Sequence, residues 1–177
     1  MKKKIFLILL LLVVLNVYKT TDENITIPST AIRLRVIPNS NSPIDINIKE
    51  KVKKYLENNI YILTKDTEDI AEARTIISDN ISSIENNIDN IFKDNNYLVP
   101  YQVNFGYNYF PEKTYKGIKY KEGYYESLVI ALGDANGDNW WCVLFPNFCL
   151  IDTKEEHEYK SYIKELLTKY SKKNKNT

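Results

Sequence analysis

A single histidine, two cysteines, five glycines and no excess of either charge set the first limits on this 177-residue chain. His157 stands among Glu155, Glu156 and Glu158, with no serine or cysteine beside it, so no Ser–His or Cys–His pair announces a nucleophile. One histidine and two cysteines are also too few for a metal cluster of the usual spacing. With 24 Lys+Arg against 23 Asp+Glu, the chain lacks the basic excess of a nucleic-acid or anionic-membrane binder. The longest apolar run, from Ile5 to Leu15, reaches Tyr18 only by tolerating Asn16. That is shorter than the roughly 17–25 residues of a membrane-spanning helix. There is no internal repeat.

What the N-terminus does contain is Met1-Lys2-Lys3-Lys4 followed by that apolar run, the pattern of a secretory signal. Asn16, Val17 and Tyr18 offer no small-residue cleavage site, so residues 1–18 are either a signal peptide or a short uncleaved anchor. No cysteine follows to take a lipid. The leader lysines place the remainder outside the cytoplasm, and the membrane is touched only through this segment. Without those lysines the balance becomes slightly acidic. Residues 19–30 read as a polar linker, 31–170 as one α+β domain of sufficient size for a real core, and 171–177 as a disordered basic tail.

Within the domain, Ala31 to Ile37 alternates apolar and charged residues, as a half-buried strand does. Pro38 to Pro43 is turn chemistry, with Ser42 placed to cap a helix and Pro43 at its first position, where a missing N–H costs nothing. That helix runs to about Leu63 and buries Ile44, Ile48, Val52, Tyr55 and Leu56. A second starts from a cap at Asp66 or Thr67. Its stripe Ile70, Ala73, Ile77, Ile81, Ile84, Ile88, Ile91 is either a docking face for a partner helix or ordinary packing on a sheet. From Tyr97 the period becomes two: Val99, Tyr101, Val103, Phe105, Tyr107 and Tyr109 share a strand face. A short strand follows within Thr114–Tyr120. Ser127–Leu132 and Trp140–Phe145, joined by a Gly/Asn/Asp loop, read as a hairpin. A helix from about Lys154 to Tyr170 closes the domain, with Tyr159, Tyr162, Ile163, Leu166 and Leu167 inward.

Both tryptophans and both cysteines fall between Gly133 and Asp152. In an oxidising compartment Cys142 and Cys149 are candidates for a disulfide. Seven extended steps would separate them by roughly 23 Å, whereas bonded cysteines need Cα atoms roughly 4.4–6.8 Å apart. The chain must therefore reverse, and Pro146-Asn147 supplies a turn. The alternative is two buried thiols acting as small apolar side chains. Asp134, Asn136 and Asp138 match half a calcium loop, but Asn139 stands where its glycine belongs and Phe145 where its last carboxylate belongs. A solvated turn fits better, and no metal or cofactor is expected. Glu155-Glu156 and Asp66/Asp69 lie at helix ends, where acids serve caps and solubility. The tyrosines of 97–125 could stack on sugar rings, so a wall-acting hydrolase or sugar-binding module is the rival reading; an ordinary core explains most of them.

Several strings together resemble the stage II sporulation protein R family. They are Ile32-Arg33-Leu34-Arg35-Val36-Ile37-Pro38-Asn39-Ser40-Asn41-Ser42 with Asp45, then Phe110-Pro111-Glu112-Lys113-Thr114-Tyr115, Gly123-Tyr124-Tyr125-Glu126-Ser127-Leu128, and Gly137-Asp138-Asn139-Trp140-Trp141-Cys142-Val143-Leu144-Phe145-Pro146 with Cys149. The resemblance covers about residues 30–152. Arg35, Pro38, Ile46 and Asn147 depart from its usual pattern. It implies a non-enzymatic signal, exported into the space between forespore and mother-cell membranes. There it would activate a membrane-embedded aspartic protease that processes the precursor of an early mother-cell sigma factor. Asn39, Ser40, Asn41 and Ser42, with Asn139, Trp140 and Trp141, are the expected interaction surface, since tryptophan is enriched among interface hot spots.

Overall fold

The computed structural model describes residues 27–173 apart from 29, 68, 116–117, 147–148 and 150–155. The leader, most of the linker, the last four residues and Asn147 of the expected turn lie outside the described residues. The elements are β1 (Ile32–Ile37), α1 (Pro43–Thr64), α2 (Ile70–Asp79), α3 (Ile81–Asp94), β2 (Tyr101–Phe110), β3 (Lys113–Tyr115), β4 (Ile118–Tyr120), β5 (Gly123–Leu132), β6 (Trp140–Phe145) and α4 (Glu156–Lys173). The fold is α+β, as expected. Among the described residues no helix is long and apolar enough to cross a membrane.

Helix α1 starts where its caps dictate. Ser42 Oγ accepts from Asp45 N at 3.2 Å, and Pro43 fills the first turn. Ile48, Val52, Leu56 and Ile60 recur every four residues and are fully buried; Ile44, in step with them but in the first turn of the helix and expected inside, is 67% exposed. The cap of α2 is Asp69, whose carboxylate accepts from Ala71 N, rather than Asp66 or Thr67. The isoleucine stripe is split at Asn80. Its side chain donates to the Ile76 carbonyl at 2.8 Å, competing with the helical ladder. The stripe survives the break: Ala73, Ile77, Ile84, Ile88 and Phe92 all join one core with β1 and β5. It is internal packing.

The four-stranded sheet has the order β2-β5-β1-β6, and β3–β4 form a separate hairpin. Strand β5 pairs antiparallel with β2 over ten residues and parallel with β1; β6 pairs antiparallel with β1. The two runs expected to form a Trp/Cys hairpin, 127–132 and 140–145, therefore do not touch as partners. β1 lies between them, and the loop after β5 crosses the end of β1 before β6 begins. The short strand expected in 114–120 is two strands, β3 and β4.

The sheet is covered on both faces. Ile32, Leu34, Val36, Leu128, Ile130 and Leu132 pack under α1–α3. On the other face Ala31 and Val143 meet Ile118 of β4 and Ile163 of α4, while Ile37, Phe110, Tyr125 and Val129 form a further cluster. β1 is thus central and doubly buried, where its charged alternation promised one solvent face. Helix α4 turns Ile163 inward, with Leu166 and Leu167 half-buried and Tyr162 exposed, and continues to Lys173, beyond the expected start of the tail. The side chain of Tyr159 lies outside the described residues.

Cys142 and Cys149 are joined in a disulfide with Cα atoms 5.2 Å apart. The chain reverses after β6 at Pro146, whose preceding peptide is cis. Closing so short a loop is worth about 2–3 kcal/mol through the unfolded chain. Replacing both cysteines by serine is expected to lower the melting temperature by about 5–10 °C. Calorimetry of wild type with and without reductant, beside the double variant, checks it; an unchanged midpoint would show the bridge to be thermodynamically idle.

Candidate functional site

The segment that follows β1 and the loop that follows β5 are stitched together where that loop crosses. Asn39 Oδ1 accepts from Asp134 N at 2.9 Å, Asn41 Oδ1 from Asp138 N at 2.7 Å, and the carbonyls of Asn39 and Pro38 accept from Asn136 N and Gly137 N, each at 3.1 Å. Gly133 N donates to Pro100 O at 2.7 Å, and Lys49 Nζ to Asp138 O at 3.3 Å. These loop amides would otherwise be orphaned over the end of a buried strand. The loop glycines answer to the same packing. Gly133 has φ +57°, and a Cβ there would collide with the Asn39 side-chain oxygen; a Cβ at Gly137 would meet Pro38 Cγ and Ser40 O at 2.5 Å.

Beneath the stitch sits Asp45, 6% exposed. Its carboxylate accepts from Ser40 Oγ, from Tyr97 Oη and, at 3.1 Å, from Asn39 Nδ2. Burial pushes this carboxyl up, but the hydrogen bonds from Ser40, Tyr97, Asn39 and Ser42 outweigh it and hold it at about 2. Burial, then the bond to Asp45, pushes the Tyr97 phenol well above its ordinary value. Sequence reasoning missed this pair, because nothing local links a first-turn aspartate to a tyrosine beyond two further helices.

The expected interaction residues therefore occupy two places. Asn39 and Ser40 are half-buried and spend their side chains on the stitch; Asn41 and Ser42 are exposed but also bonded internally. Asn139, Trp140 and Trp141 lie at the start of β6, an edge strand. Alternation puts the two half-buried tryptophans on opposite faces. Trp140 packs against the helix-side core with Lys53 Nζ 5.4 Å from its ring, and Trp141 packs edge-on to Phe110 at 5.4 Å with Lys113 Nζ at 4.6 Å. Each indole carries a lysine at the sheet's rim.

The alternating face of β2 outruns the helices that cover it. Tyr101, Val103 and Phe105 meet the core, while Tyr107 and Tyr109 on the same face are exposed beside exposed Tyr124, whose ring meets Tyr109 at 5.6 Å. At the edge of this patch Arg74 grips Glu126 in two bonds of 2.6 and 2.9 Å. Asp134, Asn136 and Asp138 present backbone amides to the stitch, as a turn would. Among the described residues no three His, Cys, Asp or Glu gather as a metal site.

Residues 28–155 match the family described as stage II sporulation protein R. The chain belongs to the stage II sporulation protein R family. It is 34% identical over 134 residues to "Stage II sporulation protein R" of Bacillus subtilis (strain 168), a match covering 76% of this chain and 60% of that relative. No solved structure matches. Family membership gives the chain a role in sporulation. Asn39, Asn41, Gly137 and Asp138, all within the strings that carry the resemblance, make direct bonds of the stitch, and Asp45 braces Asn39 beneath it.

Proposed function

We propose that this protein is an exported, non-enzymatic sporulation signal that activates a membrane-embedded aspartic protease of the mother cell. Its action leads to processing of the precursor of an early mother-cell sigma factor. Membership of the stage II sporulation protein R family carries this reading. The basic–apolar leader and the Cys142–Cys149 bridge agree with delivery into the oxidising space between the two sporulation membranes. The partner-facing surface we assign is the rim of β6, with Asn139, Trp140 and Trp141, and the exposed Asn41-Ser42 corner beside it. Activation requires this surface to bind the active state of the protease more tightly than the inactive one.

Deleting the gene in its host is expected to leave the sigma precursor uncut during sporulation. Wild type should restore cleavage, and a version lacking residues 2–18 should not. Trp140→Ala and Trp141→Ala, each checked for folding by circular dichroism, are expected to reduce processing tenfold or more if either ring is a hot spot worth about 2 kcal/mol. Intact processing with both variants would remove the rim from the interface. Normal processing in the deletion strain would discard the signalling role and favour the wall-acting rival, for which exposed Tyr107, Tyr109 and Tyr124 are the available sugar platform.

A further inference from the structure

The second face of the sheet holds a cluster of donors with no acceptor. Arg33 in β1 is 2% exposed, yet none of its three guanidinium nitrogens has a hydrogen-bond partner among the described residues. The same holds for the buried Nε of Arg35, two positions along that face, and for the buried indole Nε1 of Trp141, its cross-strand neighbour. All three side chains gather around Phe110. The Arg33 and Arg35 guanidinium carbons lie 5.3 and 4.9 Å from its ring centre, and the Trp141 ring lies at 5.4 Å. Arg33, Trp141 and Lys113 line a cleft of about 60 Å³ between the sheet and the β3–β4 hairpin. No ion pair among the described residues involves Arg33, Arg35 or Lys113.

A buried guanidinium without an anionic partner is destabilising, because its desolvation goes uncompensated. The Tyr125 ring, 3.3 Å from the Arg33 guanidinium carbon, offsets part of that by cation–π attraction. A ring face is a poor acceptor for the in-plane N–H groups of the fork, and the Tyr125 hydroxyl, whose proton goes to the Lys121 carbonyl, offers the guanidinium only its neutral oxygen. Burial pushes the Arg33 guanidinium below its ordinary value, more than the neighbouring Tyr125 and Tyr120 raise it. The cluster is therefore a preformed positive site whose counter-charge must come from outside the described fold.

We infer that the Arg33 cleft receives a carboxylate presented by an acidic side chain or chain end of a protein partner. A planar carboxylate matches the guanidinium fork in two parallel bonds, and the Trp141 indole N–H and the Lys113 ammonium supply further donors. The cleft is small, and a carboxylate is a compact planar headgroup that suits it. The cleft adjoins Trp141 at the rim of β6, so this inference deepens the partner-docking reading above by naming the chemistry the partner brings.

The test is a titration of the exported protein with sodium acetate and with a blocked Asp-containing peptide, at constant ionic strength against chloride. The readout is the Trp141 indole N–H and Arg33 Nε–H resonances. Both are expected to shift saturably, with the peptide binding about tenfold tighter than acetate. Lys113→Ala should weaken binding up to about fivefold, as loss of one exposed charge does. Arg33→Met, an apolar replacement of similar bulk, should fold but lose all response, and its melting temperature should no longer rise with carboxylate. No saturable shift in wild type, or an undiminished one in Arg33→Met, overturns the site. Binding of acetate with no gain from the peptide overturns the protein partner and leaves a small-anion site. This assay is made in vitro, so it stands or falls apart from the sporulation assay.

Discussion

Replacing Asp45 by alanine is expected to cost about 2–4 kcal/mol of stability. The carboxylate gathers donors from two places, the Asn39-Ser40 corner before α1 and Tyr97 beyond α3. Its removal leaves the Tyr97 hydroxyl buried without an acceptor, at about 1–3 kcal/mol. It also takes a negative charge from the first turn of α1, worth a further 0.3–1 kcal/mol or about that. Asn39 and Ser40 can turn to water, but only by loosening the stitch. Asp45→Asn keeps the shape and loses the charge, so it should cost roughly half as much.

The same group predicts an acid dependence. Its folded value of about 2 lies below the ordinary 3.8, so its stabilisation is complete above about pH 5 and is lost as the pH falls towards 2. The part due to Asp45 is about 2 kcal/mol. Urea unfolding at pH 7 and pH 3 measures both effects. Wild type should lose stability between the two, and Asp45→Asn should lose less over the same interval. An Asp45→Ala midpoint at pH 7 indistinguishable from wild type would show that the buried network holds nothing together.

Gly133→Ala is expected to cost about 3 kcal/mol, and Gly137→Ala about 2–3 kcal/mol. At Gly133 the left-handed backbone charges a side chain about 1–2 kcal/mol. The new methyl also displaces Asn39 Oδ1, which breaks the bond to Asp134 N for roughly another 1–2 kcal/mol. At Gly137 the obstacles are the Pro38 ring and the Ser40 carbonyl, in a backbone already pinned by the Gly137–Pro38 hydrogen bond. Because Gly133 and Asn39 meet directly, their effects should not add: in an Asn39→Ala background, Gly133→Ala should cost only the backbone part. A double-mutant cycle by chemical denaturation checks this. Full additivity would mean that the two residues act apart. Under the signalling role proposed above, both glycine variants are also expected to reduce sigma-precursor processing beyond their loss of fold, because this loop sets where Trp140 and Trp141 begin.

Much of the architecture was legible before any coordinates. Ser42-Pro43 marks the start of α1 because capping is a bond between near neighbours. The isoleucine stripe of 70–91 marks a buried helical face because period, not context, creates an apolar side. The cysteine spacing demanded a reversal, and the chain reverses. The leader, the near-neutral charge and the strings shared with the sporulation family are likewise properties of the sequence itself.

Three things only the tertiary structure decided. The Gly133–Asn139 loop carries the turn residues of a hairpin, and turn chemistry is the same whether the next strand lies beside the last or one strand farther on. Long-range pairing put β1 in that gap and converted the Asn39–Ser42 corner, which reads as an exposed motif, into the anchor of the crossing. The alternation Arg33, Arg35 in β1 reads as a wet face, and it would be one if nothing covered it; β3–β4 and α4 do, leaving a guanidinium buried among aromatic rings. Asp45 and Tyr97 meet because three helices bring them together across 52 positions. Local pattern records which groups an element offers, but the partner each group finds depends on packing between distant segments, and that belongs to the fold as a whole.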